Sequence, residues 1–316
     1  MLFLDSLRAA RREGTAYSYA FPYRRYEGWL QDRGVDVLQV TRDHLVQYQV
    51  WLAAFRTPTG APLATVTQGT AITAIKSLYR WMAAQGLIIT NPAVRIVTAS
   101  PPRHLVVQKD HLTLQEAIAL IQSLVATSEE IDDGPQARAL AIRDLALISL
   151  GFASGRRCQG LVQLRVADVD LDRNEVRVAV EKGRTGRVLP VAAWAMGTVR
   201  RYLTEARPVI ARGRDLPWLF PGLRNAQMSR KGFQYILDQV LADTVRRNPD
   251  LTDLPHKHIT THSLRVSFAT IMFANGCGIR SLNELMLHHS LNRTALYTPI
   301  PLEDLRTVLR QAHPRA

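Results

Sequence analysis

Residues 262–270 read His-Ser-Leu-Arg-Val-Ser-Phe-Ala-Thr and combine an apolar helical pattern with two cationic or titratable side chains. His262 and Arg265 are three positions apart, so a helix presents both from the same face. Such a pair can grip one anion together. A short HxxR pattern on its own is more often a solvated surface pair, because motifs of this length are frequent by chance. The interpretation therefore depends on what surrounds it.

Several further polar groups occur in a fixed order around this stretch. Upstream, a predicted helix over 137–152 ends at Ser154-Gly155-Arg156-Arg157. The two adjacent arginines point in different directions, so one of them is expected to be an ordinary salt-bridging or surface residue. Between that turn and His262, alternating valines predict a β-hairpin whose glycine-flanked tip, 182–186, carries Lys182. Downstream follow His288 and Tyr297.

The remaining periodicity predicts a mainly α protein. Helical spacing runs from Ala16 to Leu87, interrupted at Gly34 and at 57–60, with Thr41 and Thr65 as expected N-caps. Residues 98–110 hold paired prolines and no regular period, which is typical of a linker. Beyond the linker, Thr113 and Glu116 form an expected capping box for a helix through Leu124, and the acidic segment 129–135 is expected to be a loop. Further helices are predicted at 192–206, 229–246, 263–275, 279–287 and 302–311.

The excess of basic residues indicates an anionic partner. The 316 residues carry a formal net charge of +13 and an isoelectric point near 10.3. A folded protein this basic most often binds nucleic acid, and a membrane surface is the weaker alternative. Five of the 40 basic residues are lysines and the other 35 are arginines, which favours bidentate phosphate contacts but is also produced by a GC-rich genome.

Other sequence features bear on location. No apolar run is long enough to cross a bilayer, and nothing at the N-terminus has the pattern of a signal peptide. Cys158 and Cys277 are far apart and outside any CxxC spacing, so we expect two reduced packing cysteines and no thiolate metal site. These features predict a soluble, cytoplasmic protein without a membrane partner, associated with the nucleoid.

Four stretches together resemble the tyrosine site-specific recombinases of the phage integrase family, in particular the Xer-like members. They are SGRRCQGLVQL, ADVDLDRNEVRVAVEKGRTGRVLPV, HSLRVSFAT and LNELMLHHSLNRTALYT. The last stretch aligns to the family pattern without a gap, which selects His288 over His289 and selects Tyr297 as the nucleophile. The resemblance implies a catalytic set of six residues: Arg157, Lys182, His262, Arg265, His288 and Tyr297. It also selects Arg157 over Arg156.

The resemblance also implies the architecture. Residues 1–97 would form a helical core-binding domain of the SAM-like type, 98–110 the linker, and 111–316 an α+β catalytic domain with a small antiparallel sheet. Four positions depart from the family pattern. Gly160 stands where Glu is usual, Val266 where the second box has His, Leu287 where a glycine precedes the third histidine, and Pro299 where His is common. These departures concern the orientation of Arg157 and the backbone next to His288.

The mechanism implied is cleavage and rejoining of DNA through a 3′-phosphotyrosyl intermediate on Tyr297. Fixed guanidinium groups suit the charge that a phosphodiester gains in the transition state, which fits Arg157 and Arg265. His262 is the candidate general base, Lys182 the general acid for the leaving 5′-oxygen, and His288 a phosphate ligand. The covalent intermediate keeps the bond energy, so the resemblance implies neither cofactor, ATP nor divalent metal. It implies a tetramer on two duplexes of double-stranded DNA, with accessory recombination proteins as possible partners.

Two other classes of protein remain open from the residues alone. A metal-dependent nuclease or transposase needs a carboxylate cluster, for which Asp168, Asp170 and Asp172 are available, although they read as solvated turn residues. A non-enzymatic DNA-binding protein would explain the charge and the helical bundle. The apolar stripe of 302–311 fits docking into a neighbouring protomer or packing within its own chain. Integration, excision, transposition and resolution of a DNA element are all compatible with the sequence.

Overall fold

The computed structural model describes residues 2–10, 13–98, 110–178, 186–223 and 227–287. The chain divides into two compact units, Met1–Val107 and Gln108–Ala316. The expected linker, 98–110, lies almost wholly outside the described residues, as do the hairpin tip and the predicted helix 302–311.

The first unit is a helical bundle, as its periodicity predicts. Its helices are α1 (Leu2–Ala9), α2 (Glu13–Gln31), α3 (Arg42–Ala54) and α4 (Thr65–Ala84), with a 3₁₀ turn at Val37–Gln39. Its core is aromatic, and two buried tyrosines share a hydrogen bond of 2.8 Å, Tyr26 Oη to Tyr79 Oη. Pairing the hydroxyls inside the core offsets the cost of removing them from water.

The two predicted caps of this unit differ in outcome. Thr41 caps α3 by accepting from the His44 backbone N–H, as expected. The prediction for Thr65 is wrong by one position, because Ala64 is the N-cap of α4 and no side chain caps that end. Instead, the Gln68 side chain donates to the carbonyl of Leu63. Helix starts are set by backbone dihedrals as well as by residue type, so a shift of one residue is a common error.

The second unit is mainly α around one large apolar core. Its helices are α5 (Leu114–Glu130), α6 (Pro135–Ser154), α7 (Cys158–Val162), α8 (Ala193–Arg201), α9 (Arg207–Ala211), α10 (Arg230–Arg247), α11 (Thr261–Ala274) and α12 (Ile279–Leu285). A π-helical segment, Tyr202–Ala206, joins α8 to α9. Short 3₁₀ turns lie at Val166–Asp168 and Leu254–His256.

A small antiparallel sheet completes this unit. Its order is β1 (Val169–Asp170), β2 (Glu175–Val178) and β3 (Arg187–Pro190). Val176 pairs with Leu189 and Val178 with Arg187, which confirms the predicted hairpin. The fold is therefore the expected one, mainly α with a small antiparallel sheet.

Sequence reasoning also placed one helix end wrongly. The capping box of Thr113 and Glu116 is present, but α5 continues past Leu124 to Glu130 and takes in the first two residues of the segment expected to be a loop. The reason is tertiary. Arg247 binds Glu130 at 2.8 Å, and Thr127 donates to Asp243 at 3.0 Å, so α10 stabilises the last turn of α5.

Candidate active site

Arg157 follows a turn that only glycine accommodates. Gly155 ends α6 in the left-handed conformation, with φ of +56°, and a Cβ there would lie 2.4 Å from Cδ1 of Phe268. Arg157 is then the N-cap of α7 and its side chain is exposed. Leu161 and Leu164 are buried, as the pattern after this turn predicts, and they anchor the segment to the core.

Helix α11 carries the second part of the predicted set. It begins with Thr260 as N-cap, whose hydroxyl accepts from the Ser263 N–H. His262 is half-buried and Arg265 is 2% exposed. A guanidinium this deeply buried is unusual and requires hydrogen-bond acceptors.

Those acceptors are two backbone carbonyls that come from distant parts of the chain. Arg265 Nη1 donates to the carbonyl of Gly155 at 2.6 Å, and Nη2 donates to the carbonyl of Met286 at 2.6 Å. Gly155 is two residues before Arg157, and Met286 is two residues before His288. Arg265 therefore ties together the segments that lead into the other two predicted phosphate-binding positions.

A further contact joins the same segments. The half-buried thiol of Cys158, the residue after Arg157, lies close enough to Thr261, the residue before His262, for that side chain to influence its pKa. Burial raises the pKa of Cys158, an effect that Thr261 and Arg230 only partly oppose. The thiol is thus kept neutral, which fits the packing role expected for it. Cys277 is likewise a half-buried free thiol.

The backbone before His288 keeps a glycine-like conformation although its residue is leucine. Leu287 has φ of +52°, and its N–H donates to the carbonyl of Glu284 at 3.1 Å. A β-carbon in this region costs about 1 kcal/mol. Leucine at this position is therefore accommodated with local strain.

Residues at the start of the second unit form hydrogen bonds with α11 and with the segment just before it. The Leu112 N–H donates to Ser267 Oγ at 2.8 Å, and the His258 N–H donates to Asp110 Oδ2 at 2.7 Å. Lys257 Nζ lies 2.7 Å from both carboxylate oxygens of the buried Glu116. Burial raises the pKa of Glu116, but the bonds from Lys257 and Thr113 outweigh that effect and hold the pKa below its usual value.

Sequence reasoning missed the role of Arg156. It was expected to be an ordinary surface or salt-bridging arginine, but the structure buries most of its guanidinium. Nη2 donates to the carbonyl of Gly160 at 3.0 Å. Burial lowers the pKa of Arg156 to about 10, partly offset by Asp168, so the group remains charged at neutral pH. Only the absence of a side chain at position 160 could have indicated this packing.

Three of the six predicted catalytic residues are described, namely Arg157, His262 and Arg265, and the contacts above bring their segments together. Lys182, His288 and Tyr297 lie outside the described residues.

The three aspartates considered for a metal site instead accept hydrogen bonds from backbone N–H groups or pair with an arginine. Asp168 accepts from the Arg165 N–H, Asp170 accepts from the N–H groups of Asp172 and Arg173, and Asp172 pairs with Arg200 at 3.3 Å. Within the described ranges, no group of three or more His, Cys, Asp or Glu side chains could hold a metal ion. In the same ranges, no helix combines the length and apolarity that crossing a bilayer demands.

Comparison with known proteins identifies the group to which the chain belongs. Residues 119–301 match the phage integrase family. The tyrosine recombinase XerC 2 of Ralstonia nicotianae is 32% identical over 92% of this chain and 78% of its own length. The tyrosine recombinase XerD of Mycobacterium tuberculosis is 31% identical over 99% of this chain and 96% of its own.

Solved structures agree at the level of the fold. A post-cleavage complex of the XerH site-specific recombinase with a palindromic difH substrate has a TM-score of 0.68 at 16% identity, over 95% of this chain and 79% of that one. A lambda integrase dimer bound to a core site has a TM-score of 0.58 at 13% identity, over 94% and 76%. Since the family match spans more than half of the chain and the sequence relatives align along nearly all of it, this chain belongs to the phage integrase family of tyrosine recombinases.

Proposed function

We propose that this chain is a site-specific DNA recombinase that cleaves and rejoins strands through a 3′-phosphotyrosyl intermediate on Tyr297. The observation that carries the proposal is the bridge made by Arg265, which joins the turn before Arg157 to the turn before His288. Bringing these two turns together supports the binding of one phosphate by groups that are distant in sequence.

Each residue of the set has a role that follows from its chemistry. Arg157 and Arg265 stabilise the charge that develops on the non-bridging oxygens of the scissile phosphate. A tyrosine hydroxyl, with a pKa of about 10, is a weak nucleophile at neutral pH. His262 therefore accepts its proton as the general base. Lys182 protonates the leaving 5′-oxygen, and His288 donates a hydrogen bond to the phosphate.

The proposed reaction needs no cofactor, no ATP and no divalent metal. Attack by Tyr297 forms a phosphotyrosyl ester and releases a 5′-hydroxyl. Attack by a 5′-hydroxyl on that ester restores the phosphodiester and frees the tyrosine. The number of phosphoester bonds is unchanged throughout, so no external energy source enters.

The partner proposed is double-stranded DNA. The net charge of +13 supports it, and the XerH and lambda integrase structures were solved as complexes with their DNA sites. Four copies of this chain, one for each strand cut in an exchange between two duplexes, form the active assembly, with accessory recombination proteins as further partners. The site of action is the nucleoid in the cytoplasm.

The target site can be found through the covalent intermediate. Cells expressing the protein are lysed in detergent, protein–DNA adducts are precipitated, and the attached DNA is sequenced. Two plasmid-borne copies of the recovered site are then incubated with purified protein in EDTA without nucleotide. The proposal expects recombinant plasmids. Cleavage that requires a divalent ion would point to the nuclease class, and binding without any adduct would point to a non-enzymatic DNA-binding protein.

A further inference from the structure

Arg156 occupies an environment that arginine seldom tolerates. Its Nε and Nη1 are buried, and neither has a hydrogen-bond partner among the residues that the structure describes. Its one hydrogen bond within that part of the chain runs from Nη2 to the carbonyl of Gly160, at 3.0 Å. Burying a charged group with so few partners is costly, and residues that break a local rule in this way concentrate at functional sites.

The position of this guanidinium depends on Gly160. A Cβ built at residue 160 would lie 3.0 Å from Nη2 of Arg156 and 3.7 Å from Cζ and Nε. A side chain at 160 would therefore force the guanidinium to shift by a few tenths of an ångström from its place at that carbonyl. The arginine and the glycine form an interlocked pair, in which the absence of one side chain makes room for the other.

The hydrogen bond between Arg156 and Gly160 lies along α7, the short helix whose N-cap is Arg157. Helix α7 contains five residues, and Arg157, its N-cap, makes no side-chain capping bond. A single helical turn is marginal without support. The carbonyl of Gly160 belongs to the last turn, whose carbonyls lack partners within the helix. The bond from Arg156 thus connects the residue before the N-cap to the middle residue of α7.

We propose that Arg156 is a positioning residue that, through Gly160, fixes α7 and thereby holds Arg157 in place for the scissile phosphate. The idea rests on the proposed function, because Arg157 is the group through which Arg156 acts. It also accounts for two neighbouring features together: an arginine that is half-buried and makes no ion pair with the described part of the chain, and a glycine where the family usually has Glu.

The test is a double-mutant cycle in cleavage. Wild type, Arg156→Leu, Gly160→Ala and the double variant are compared on a nicked suicide substrate carrying the recovered site, at protein concentrations that saturate the DNA. Either single change should slow adduct formation by about tenfold to a hundredfold, the range expected when a catalytic group is misplaced by an ångström or less, with DNA affinity nearly unchanged. The double variant should be no slower than the slower single variant, because the bond can be lost only once.

Two further variants separate positioning from general damage. Arg156→Lys keeps a long stem and a donor for the Gly160 carbonyl, so it should retain more of the cleavage rate than Arg156→Leu. Gly197→Ala, in the exposed face of α8 where no atom lies within 4 Å of the added carbon, should cleave as wild type does. Wild-type cleavage by Arg156→Leu, or rates that multiply in the double variant, would overturn the proposal.

Failure of the proposed function has a different signature. If wild type forms no adduct on the DNA that it binds, the function fails and the claim about Arg157 fails with it. The interlocked pair is then tested by urea unfolding alone. Gly160→Ala should lower the midpoint in the wild-type background and should leave it unchanged or raise it in the Arg156→Leu background. Equal effects in both backgrounds would contradict the pair.

Discussion

At the scale of single residues, two left-handed backbone positions frame Arg265. Gly155 and Leu287 have φ of +56° and +52°, and each turn presents a carbonyl to the guanidinium from the residue itself or from its neighbour Met286. Two turns thus fix the guanidinium of Arg265, one of the groups proposed to bind the phosphate. Substitutions at these turns test that claim.

Gly155→Ala should lower the free energy of unfolding by about 2–5 kcal/mol, from backbone strain and from the clash with the Phe268 ring. Urea denaturation of the whole chain measures it. The matched control is Gly197→Ala, which adds the same methyl group in open space on a helix and should be neutral or stabilising by up to about 1 kcal/mol. Equal effects of the two substitutions would contradict the packing of Gly155.

Leu287 offers the opposite test, because glycine should be preferred there. Leu287→Gly and Leu287→Ala remove almost the same side chain, but only glycine relieves the positive φ, so the glycine variant should be more stable by about 1 kcal/mol. At exposed Gln239 in the middle of α10, the same pair of substitutions should give the reverse order, with glycine less stable by about 1 kcal/mol. Alanine equal to or better than glycine at 287 would argue against the left-handed turn.

At the scale of secondary-structure elements, α11 is held by the segment that opens the second unit. The Leu112 N–H bonds to Ser267 on α11, and Glu116 on α5 binds Lys257 just before α11. The first contact is buried and the second is partly buried. The position of His262 and Arg265 therefore depends on the start of α5.

Glu116→Gln should destabilise the protein by about 2–4 kcal/mol at pH 7, since it leaves the Lys257 charge without its carboxylate. The pKa of Glu116 is lowered by its bonds to Lys257 and Thr113, so its contribution is present above the unfolded-state pKa and is lost as the pH falls through the folded-state pKa. Unfolding curves of wild type and variant should therefore converge in acid. Glu205→Gln, in an exposed pair with Arg201, should cost no more than about 0.5 kcal/mol. A constant difference across the acid range would contradict the ion pair.

The elements could be predicted because their signals are local. Thr41, Thr113 and Glu116 each lie within three residues of the helix start that they predict. Alternating valines predict the hairpin. The site could be predicted only as a set of residue types in order. The partners of Arg265 lie 110 and 21 residues away, and no periodicity indicates a bond from a side chain to a backbone carbonyl. Arg156 was misjudged for the same reason, because its environment depends on an absent side chain four positions on.

At the scale of the whole molecule, the net charge determines how strongly the affinity for DNA depends on salt. With a net charge of +13, binding should release many counterions, so the logarithm of affinity should fall steeply and linearly with the logarithm of salt concentration. Six or more phosphate contacts give a slope of about −5 or steeper. Fluorescence anisotropy on a random duplex measures the slope. Arg157→Ala should make the slope less steep by about one. A flat dependence would contradict an electrostatic interface.

The central claim is that one hydroxyl, on Tyr297, attacks the DNA. Tyr297→Phe removes that oxygen with almost no change in volume, so folding and DNA affinity should survive while chemistry stops. Tyr235→Phe, at an exposed tyrosine of the same unit, is the control. A nicked suicide substrate carrying the recovered site is incubated in EDTA and run on a denaturing gel. Wild type and Tyr235→Phe should give a slow protein–DNA band and Tyr297→Phe none; a band of wild-type intensity from Tyr297→Phe would contradict the account.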